Sequence, residues 1–440
     1  MLTDDSGLKL AATTTPPTKI RYLMLALIFF ATVINYVDRT NLAVVAPILS
    51  KDLDLSPVQM GLLFSAFAWT YAFANLPGGY LVDRLGSRVA YGWSLFLWSA
   101  ATFAQGAAGS FAALFGLRLA VGAAEAPAFP SNNRVVTMWF PKSERGSATS
   151  FYVVGQYIGT AMFTPLLFWI ASHYGWREVF YVTGGLGILF AVVWFKCYRD
   201  PKDSKRVNAQ ELHYIEAGGA LTGGIAQADF KWSLVWQLFE HRQIWAICIG
   251  KFAISSTLFF FLTWFPTYLV EARGMTMLKA GFFAVLPYIA ASLGVLLGGY
   301  WSDTLLKRGY SMSVARKLPI VTGFLLASSI FLANFTTSNT IAIAILSFAF
   351  FAQGISSMSW AIISEVAPKE LIGMTGGVCN FAGNLAGIAM PIAIGYILAH
   401  TGSFNWALGL VGIAAITGAL SYTFLLGPVR RIQLRHTAEE

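Results

Sequence analysis

The sequence predicts an all-α membrane protein, with twelve transmembrane helices in two six-helix bundles. Three observations predict it. The 440 residues are 56% hydrophobic and only 12% charged, about half the charge of a soluble globular chain. The apolar residues gather into twelve runs, each near or above the roughly 20 residues that cross a bilayer as a helix. One long polar segment divides those runs six and six.

In order, the runs lie near 21–48, 57–82, 88–108, 111–138, 146–170 and 177–197, then 243–269, 279–302, 317–335, 339–363, 373–398 and 404–427. The expected organisation is a cytoplasmic tail over 1–20, a first bundle over 21–198 and a cytoplasmic central loop over 199–241. A second bundle over 242–428 and a cytoplasmic tail over 429–440 complete it. The central loop contains "RDPKDSKRVNAQELHYI", which reads as a surface linker with a short amphipathic helix. Residues 1–18 are polar and rich in Thr and Pro, unlike a cleavable signal peptide, so the first apolar run is expected to stay in the membrane.

The net charge of +9 raises nucleic acid as a partner. The basic residues sit between apolar runs, however, and form neither a face nor a tail. They set orientation instead. Lys19, Arg21, Arg84, Arg88, Lys142, Arg145, Lys307, Arg308, Arg316 and Lys317 fall in connections on one side. Lys51, Arg177, Arg273 and Lys279 are the exceptions on the other. Both termini are therefore expected in the cytoplasm of a bacterial cell, with the chain in the inner membrane as a monomer. Cys197, Cys248 and Cys379 show neither disulfide nor metal spacing. No G-x-x-x-x-G-K-[ST] or H-E-x-x-H string occurs, so neither a nucleotide-driven pump nor a metalloprotease is indicated. No cofactor is expected, and an enzyme is not.

The halves repeat. "GGYLVDRLGSR" at 78–88 is echoed by "GGYWSDTLLKRG" at 298–309, and "WFPKSERGSA" at 139–148 by "VAPKELIGMT" at 366–375. Each pair follows the second or the fourth span of its half. Two related bundles with a site between them is a transporter plan.

Charges inside the spans mark the candidate site. From Tyr22 to Leu49 the only charged residues are Asp38 and Arg39, and each costs on the order of 2.5–3.5 kcal/mol at a helix centre. As neighbours on a helix they point about 100° apart and cannot pair face to face, so at least one needs a partner elsewhere. The fourth span, "GLRLAVGAAEAPAFP", offers Arg118 and Glu125, on one face and roughly 10 Å apart along the axis. Gly122 lies between them and leaves room for a neighbour or a ligand. Two carboxylates and two guanidiniums then form either a static network that fixes the helices or a working site. Arginine keeps its charge and presents a fork that fits a carboxylate, so Arg39 and Arg118 are candidate anion binders. Buried carboxylates near arginine can take and release protons, which makes Asp38 and Glu125 the candidate proton carriers and the proton the coupling ion.

"GYLVDRLGSR" resembles the loop signature of the major facilitator superfamily. "NYVDRTNLAV", "GAAEAPAFPSNNR", "WFPKSERG", "FLTWFPTYLV", "KAGF", "ARKLPI" and "LIGMTGGVCNFAGN" resemble its anion:cation symporter branch, in particular bacterial D-galactonate and glucarate carriers. The resemblance covers nearly the whole chain. It implies proton coupling at Asp38 and Glu125 and substrate binding at Arg39, with Arg118 linking the two. It also places Tyr71, Gln156, Ser357, Ser359, Trp360 and Asn380 at substrate-site positions, with Asn384 one turn along. Lys251 departs from the pattern, since the related carriers have glutamine there. It either snorkels to an interface or faces the cavity. Asp83, Arg84 and Arg88 are expected to latch the cytoplasmic side, with Asp83 toward a helix end of the other bundle. The pairs Gly155/Gly159, Gly373/Gly377 and Gly383/Gly387 suit close helix contact.

The reading is a symporter that imports a sugar-acid anion, a D-galactonate-like aldonate, by alternating access. Other organic anions (an aldarate, a hexuronate or an aromatic carboxylate) are the rival substrates. A membrane sensor with this fold would need a sizeable soluble output domain.

Overall fold

The computed structural model describes residues 16–222, 236–368 and 371–433. The first half consists of α1 (Ile20–Asp52), α2 (Pro57–Gln105), α3 (Phe111–Glu125), α4 (Ala128–Trp139), α5 (Arg145–His173) and α6 (Trp176–Cys197). The linker contributes α7 (Ala209–Ala217). The second half consists of α8 (Arg242–Thr263), α9 (Met277–Lys307), α10 (Met312–Ala327), α11 (Asn339–Ser356), α12 (Ser359–Val366), α13 (Ile372–Thr401) and α14 (Asn405–Leu420).

Ten helical stretches are long and apolar enough to cross a membrane, with α3 and α4 forming one and α11 and α12 another. The remaining two crossings lie in α2. Its 49 residues are about 74 Å long at 1.5 Å per residue, twice a bilayer core. Gly86 interrupts it at φ 75° and ψ 159°, a conformation that a side chain would strain. The expected second and third spans are thus separated by one glycine, and twelve crossings result.

Two spans are broken in the middle. The fourth breaks at Ala126 and Pro127, where proline removes a donor and ends the hydrogen-bond ladder. The tenth breaks at Ser357 and Met358 without a proline; the Ser357 N–H is shared between the carbonyls of Gln353 (3.2 Å) and Gly354 (3.1 Å). Glycines bring both against a neighbour. A Cβ at Gly122 would strike the Phe67 carbonyl of α2, and one at Gly354 the Ala291 carbonyl of α9. This matching contact is the repeat expressed in three dimensions.

The halves close on each other at the end that carries the 53–56 and 174–175 connections. There Phe64 meets Trp264 (ring centroids 5.1 Å apart), whose indole is held by donating to the Pro391 carbonyl of its own half at 3.0 Å. Gly61 abuts Pro391, Gly395 abuts Pro57, and Gly281 abuts Phe168. Toward the opposite end α2 and α13 still touch through Phe73 and Phe381 (5.7 Å), but Phe73 is 67% exposed. Among the described residues no hydrogen bond or ion pair joins the halves, so the seam is made of apolar and backbone contacts.

The linker helix α7 does not hang free. The Glu211 carboxylate accepts from Thr18 Oγ1 (2.6 Å) and from the backbone N–H of Ile20 (3.0 Å), which places an anion at the start of α1.

The expected cytoplasmic latch is not formed in this arrangement of the halves. Asp83 is exposed and pairs with Arg134 of its own half at 3.6 Å, because the other bundle is not within reach at this end. Arg84 and Arg88 are likewise exposed, and Arg88 donates to the Phe195 carbonyl of its own half (3.3 Å). Gly155 and Gly159 abut Phe29 and Val33, and Gly383 and Gly387 abut Ser255 and Phe259. Gly377 faces open space, and the surroundings of Gly373 lie outside the described residues.

Candidate functional site

The charged residues singled out in the first and fourth spans converge. Arg39 leaves α1 toward α3, where its Nε donates to Glu125 Oε1 at 2.7 Å and its Nη2 bonds the same oxygen. Glu125 is fully buried as the last residue of α3. The break that follows sets the carboxylate at a helix end. Three rings enclose the Arg39 guanidinium, with centroids 4.6 Å (Phe67), 4.7 Å (Tyr71) and 4.9 Å (Tyr36) away. Faces of aromatic rings attract a cation, so the cage helps to hold a guanidinium whose side chain is only 11% exposed.

Asp38 goes the other way. It too is fully buried, and its Oδ2 accepts from the Trp98 indole at 3.1 Å. The helix places the two side chains on different faces, so Arg39 meets α3 and Asp38 meets the third crossing. Arg118 does not reach the Asp38 carboxylate by a hydrogen bond. Its Nη1 donates instead to the Asp38 backbone carbonyl at 3.3 Å. Gly122, expected to leave room for a neighbour or a ligand, admits α2, whose Thr70 Oγ1 donates to the Leu119 carbonyl (2.7 Å). Glu125 Oε2 and Asp38 Oδ1 accept no hydrogen bond among the described residues.

The remaining candidates lie on both sides of the seam. Gln156 lines a void of about 10 Å³ with Tyr36, Tyr157, Leu258 and Tyr288, at the seam beside the Arg39 cage. Ser357 and Asn380 are half-buried, and Ser357 Oγ donates to the Gly354 carbonyl at 2.6 Å. Ser359 is fully buried at the start of α12. The side chain of Trp360 lies outside the described residues. Lys251 does not snorkel: it is only 8% exposed and packs on the face of α8 that meets α13, near Gly383 and the Cys379 thiol. The structure does not bring it to the Arg39–Glu125 pair. A wider cavity of about 630 Å³ lies at the closed end, lined by Pro57, Met60, Trp264, Tyr268, Arg273 and Phe404. The Phe64–Trp264 contact separates it from the charged cluster, so size alone does not mark the site.

Sequence reasoning missed Tyr36, Phe67 and Trp98. Tyr36 was legible, since three residues before Arg39 is the same helix face. Phe67 and Tyr71 stack at 5.0 Å as an i, i+4 pair. Trp98 was legible only as a buried indole that needs an acceptor.

Residues 28–391 match the Major Facilitator Superfamily. The chain is 46% identical over 421 residues to the D-galactonate transporter of Escherichia coli O6:H1, covering 94% of this chain and 98% of that one. It is 44% identical over 434 residues to a probable galactarate/D-glucarate transporter of Bacillus subtilis, covering 96% and 95%. In fold it is similar to a bacterial homologue of the human lysosomal transporter Spinster in an inward-facing, occupied conformation. That match has a TM-score of 0.75 at 19% identity and covers 93% of this chain and 97% of the other. A D-xylose-proton symporter gives a TM-score of 0.70 at 15% identity, covering 93% and 98%. A match across most of the chain, joined to twelve crossings and a seam between two related bundles, settles the family: this chain is a multi-pass membrane protein and transporter of the Major Facilitator Superfamily.

Proposed function

We propose that this protein imports a sugar-acid anion together with protons across a bacterial inner membrane. The substrate in this reading is a D-galactonate-like aldonate. The observation that carries it is the Arg39–Glu125 pair, a guanidinium caged by three rings and tied to a fully buried carboxylate at the seam. Similarity to a D-galactonate transporter across nearly the whole chain supports the substrate class.

The pair suggests how the two cargoes depend on each other. While Glu125 is ionised it occupies the Arg39 fork. Protonation of Glu125 weakens that bond and frees the guanidinium, which then takes the substrate carboxylate by a charge-assisted hydrogen bond. Release inside reverses both steps. Tyr71, Gln156, Ser357, Ser359, Trp360 and Asn380 would meet the hydroxyls. With the Lys/Arg-rich loops and both termini in the cytoplasm, the parted end faces inward. A seam with no ionic ties among the described residues lets the halves rock at low cost. Asp83, Arg84 and Arg88 would then latch in the opposite, outward-facing arrangement.

The test is uptake into proteoliposomes with an imposed pH gradient, against a panel of aldonates, aldarates and hexuronates. Accumulation of an aldonate that dissipates the gradient is expected. Failure to accumulate any sugar acid under that gradient overturns the reading. A second substrate reading, an aldarate, is favoured by the buried cation Lys251 and by similarity to probable galactarate/D-glucarate transporters; the same panel decides between them.

A further inference from the structure

Asp38 lies inside the first bundle. Its hydrogen-bond partner is Trp98 of the third crossing, and Thr183 of α6 lies beside its carboxylate. Arg118 and Glu125 face it from α3. Arg39, one residue along, takes the seam. A proton carrier at this place needs a route that the substrate cleft does not supply.

The interior of the bundle holds polar groups that lead from Asp38 to the closed end. On α2, Ser99, Thr102 and Gln105 form a stripe at helical spacing, and all three are fully buried. Ser99 Oγ, Thr102 Oγ1 and both amide atoms of Gln105 have no hydrogen-bond partner among the described residues. Contacts fix their levels. Phe103, next to Thr102, abuts Gly184 of α6, which puts Thr102 level with Thr183. One turn along α1 from Asp38, the fully buried Asn41 donates to Thr183 Oγ1 at 3.3 Å. Gln105 ends α2 beside Gly106, which abuts the Arg177 carbonyl. Arg177 is itself partly exposed and paired with Asp52 at 3.0 Å. From Trp98 to Gln105 the rise is about 10 Å. The file therefore runs from the surface at the closed end to the carboxylate.

Buried polar groups are met by partners or by ordered water, and inside a bilayer bulk water cannot serve. A row of unpartnered hydroxyls and one amide, spread over about two helical turns, is more than helix contact requires. We infer that Gln105, Thr102, Asn41 and Thr183 hold a water file that carries protons to Asp38 from the closed-end surface, through the first bundle and apart from the substrate cleft. The inference rests on the proposed proton coupling and adds its path. It assigns the two carboxylates different access: Asp38 through the bundle, Glu125 through the seam.

The test uses the full chain in proteoliposomes and the double variant Thr102→Val, Gln105→Leu. Both replacements are apolar and close in shape, and removing unpartnered buried polar atoms is near neutral or stabilising, so the variant should fold. The initial rate of accumulation driven by a pH gradient is expected to fall at least tenfold. Exchange of labelled for unlabelled substrate, which needs no net proton entry, is expected to stay within twofold. Thr102→Ser, which keeps the hydroxyl, should restore most of the driven rate when combined with native Gln105. Gradient-driven accumulation at the wild-type rate in the double variant would overturn the inference. So would an equal loss of accumulation and exchange, the result of a merely structural stripe. Should the double variant melt early, Thr102→Val alone carries the same comparison. If the wild-type protein shows no proton-driven accumulation at all, the proposed function fails first, and this path with it.

Discussion

In the first half the broken span carries Arg118 and Glu125. In the second half the corresponding span carries Gln353, Ser356 and Ser357. The architecture is shared: each span breaks in the middle, and each sets a glycine against a neighbouring backbone carbonyl. The chemistry is not. Glu125 ends α3 in an ion pair with Arg39, whereas Gln353 donates to the Ile254 carbonyl (3.2 Å) and Ser356 to the Ile320 carbonyl (3.1 Å). The two halves carry matching helix breaks, and the first one carries the charges. Under the proposed function the ionic and proton work would fall to the first half, while hydroxyl recognition would draw on both, through Tyr71 and Gln156 on one side and Ser357, Ser359 and Asn380 on the other.

The sharpest way to break that comparison is to make the first half neutral like the second. Glu125→Gln keeps the shape and removes the charge, leaving Arg39 without its counter-ion; breaking a buried pair costs about 3–5 kcal/mol. Accumulation driven by a pH gradient should vanish, with the inside-to-outside ratio falling to about one, while exchange persists. Concentrative uptake by this variant at the wild-type level would remove Glu125 from the coupling and dissolve the division between halves.

If the shared architecture is real, the two glycines should behave alike despite the different chemistry. Gly122→Ala and Gly354→Ala each drive a Cβ into a backbone carbonyl, and overpacking of this kind costs about 1–3 kcal/mol. Both variants should melt several degrees lower in detergent. Gly377→Ala meets nothing within 4 Å and should be neutral or slightly stabilising, as alanine is the better helix former. A large effect at only one of Gly122 and Gly354 would mean that the halves are less equivalent than their breaks suggest.

A smaller change keeps the charge but alters its form. Arg39→Lys preserves a cation yet loses the planar fork that matches a carboxylate and stacks on rings. Substrate affinity, measured by binding to the purified protein, should weaken about tenfold, or about 1.4 kcal/mol. Unchanged affinity would move the anion site away from the first half.

How much of this was legible depends on what burial does to each residue type. Asp38, Arg39, Arg118 and Glu125 stood out because charge in an apolar span is costly, and three of the four meet as expected through side chains or a backbone carbonyl. The twelve crossings followed from run length, whereas the break at Pro127 interrupts a fourth span that the apolar run alone shows as continuous over 111–138. The cage of Tyr36, Phe67 and Tyr71 was harder to see, because aromatic residues make up 15% of the chain and most simply fill space. The partner of Asp83 was not legible at all. Whether it meets Arg134 or the other bundle depends on which end of the seam is closed, and a sequence encodes both arrangements. The break at Ser357 carries no proline and left no local signal.

Lys251 gives the finest test of the division between halves, since it is the one buried cation that the described second half places within a span. The resemblance drawn from the sequence implies a neutral amide there, which would suit hydroxyl recognition in this half. An ammonium brings three donors and a compact charge, better matched to a second carboxylate. The side chain lies on the α8 face that meets α13, close to Gly383, and Asn380 lies one turn from Gly383 on α13. From that position it can bias the field of the seam without entering it. Lys251→Gln should therefore change selectivity more than rate, lowering the aldarate-to-aldonate uptake ratio by about threefold, less than 1 kcal/mol on the affinity scale. The ratio is measured on one preparation, so expression and driving force cancel. A constant ratio would leave the second half without any ionic role, and the contrast with the first half would then be complete.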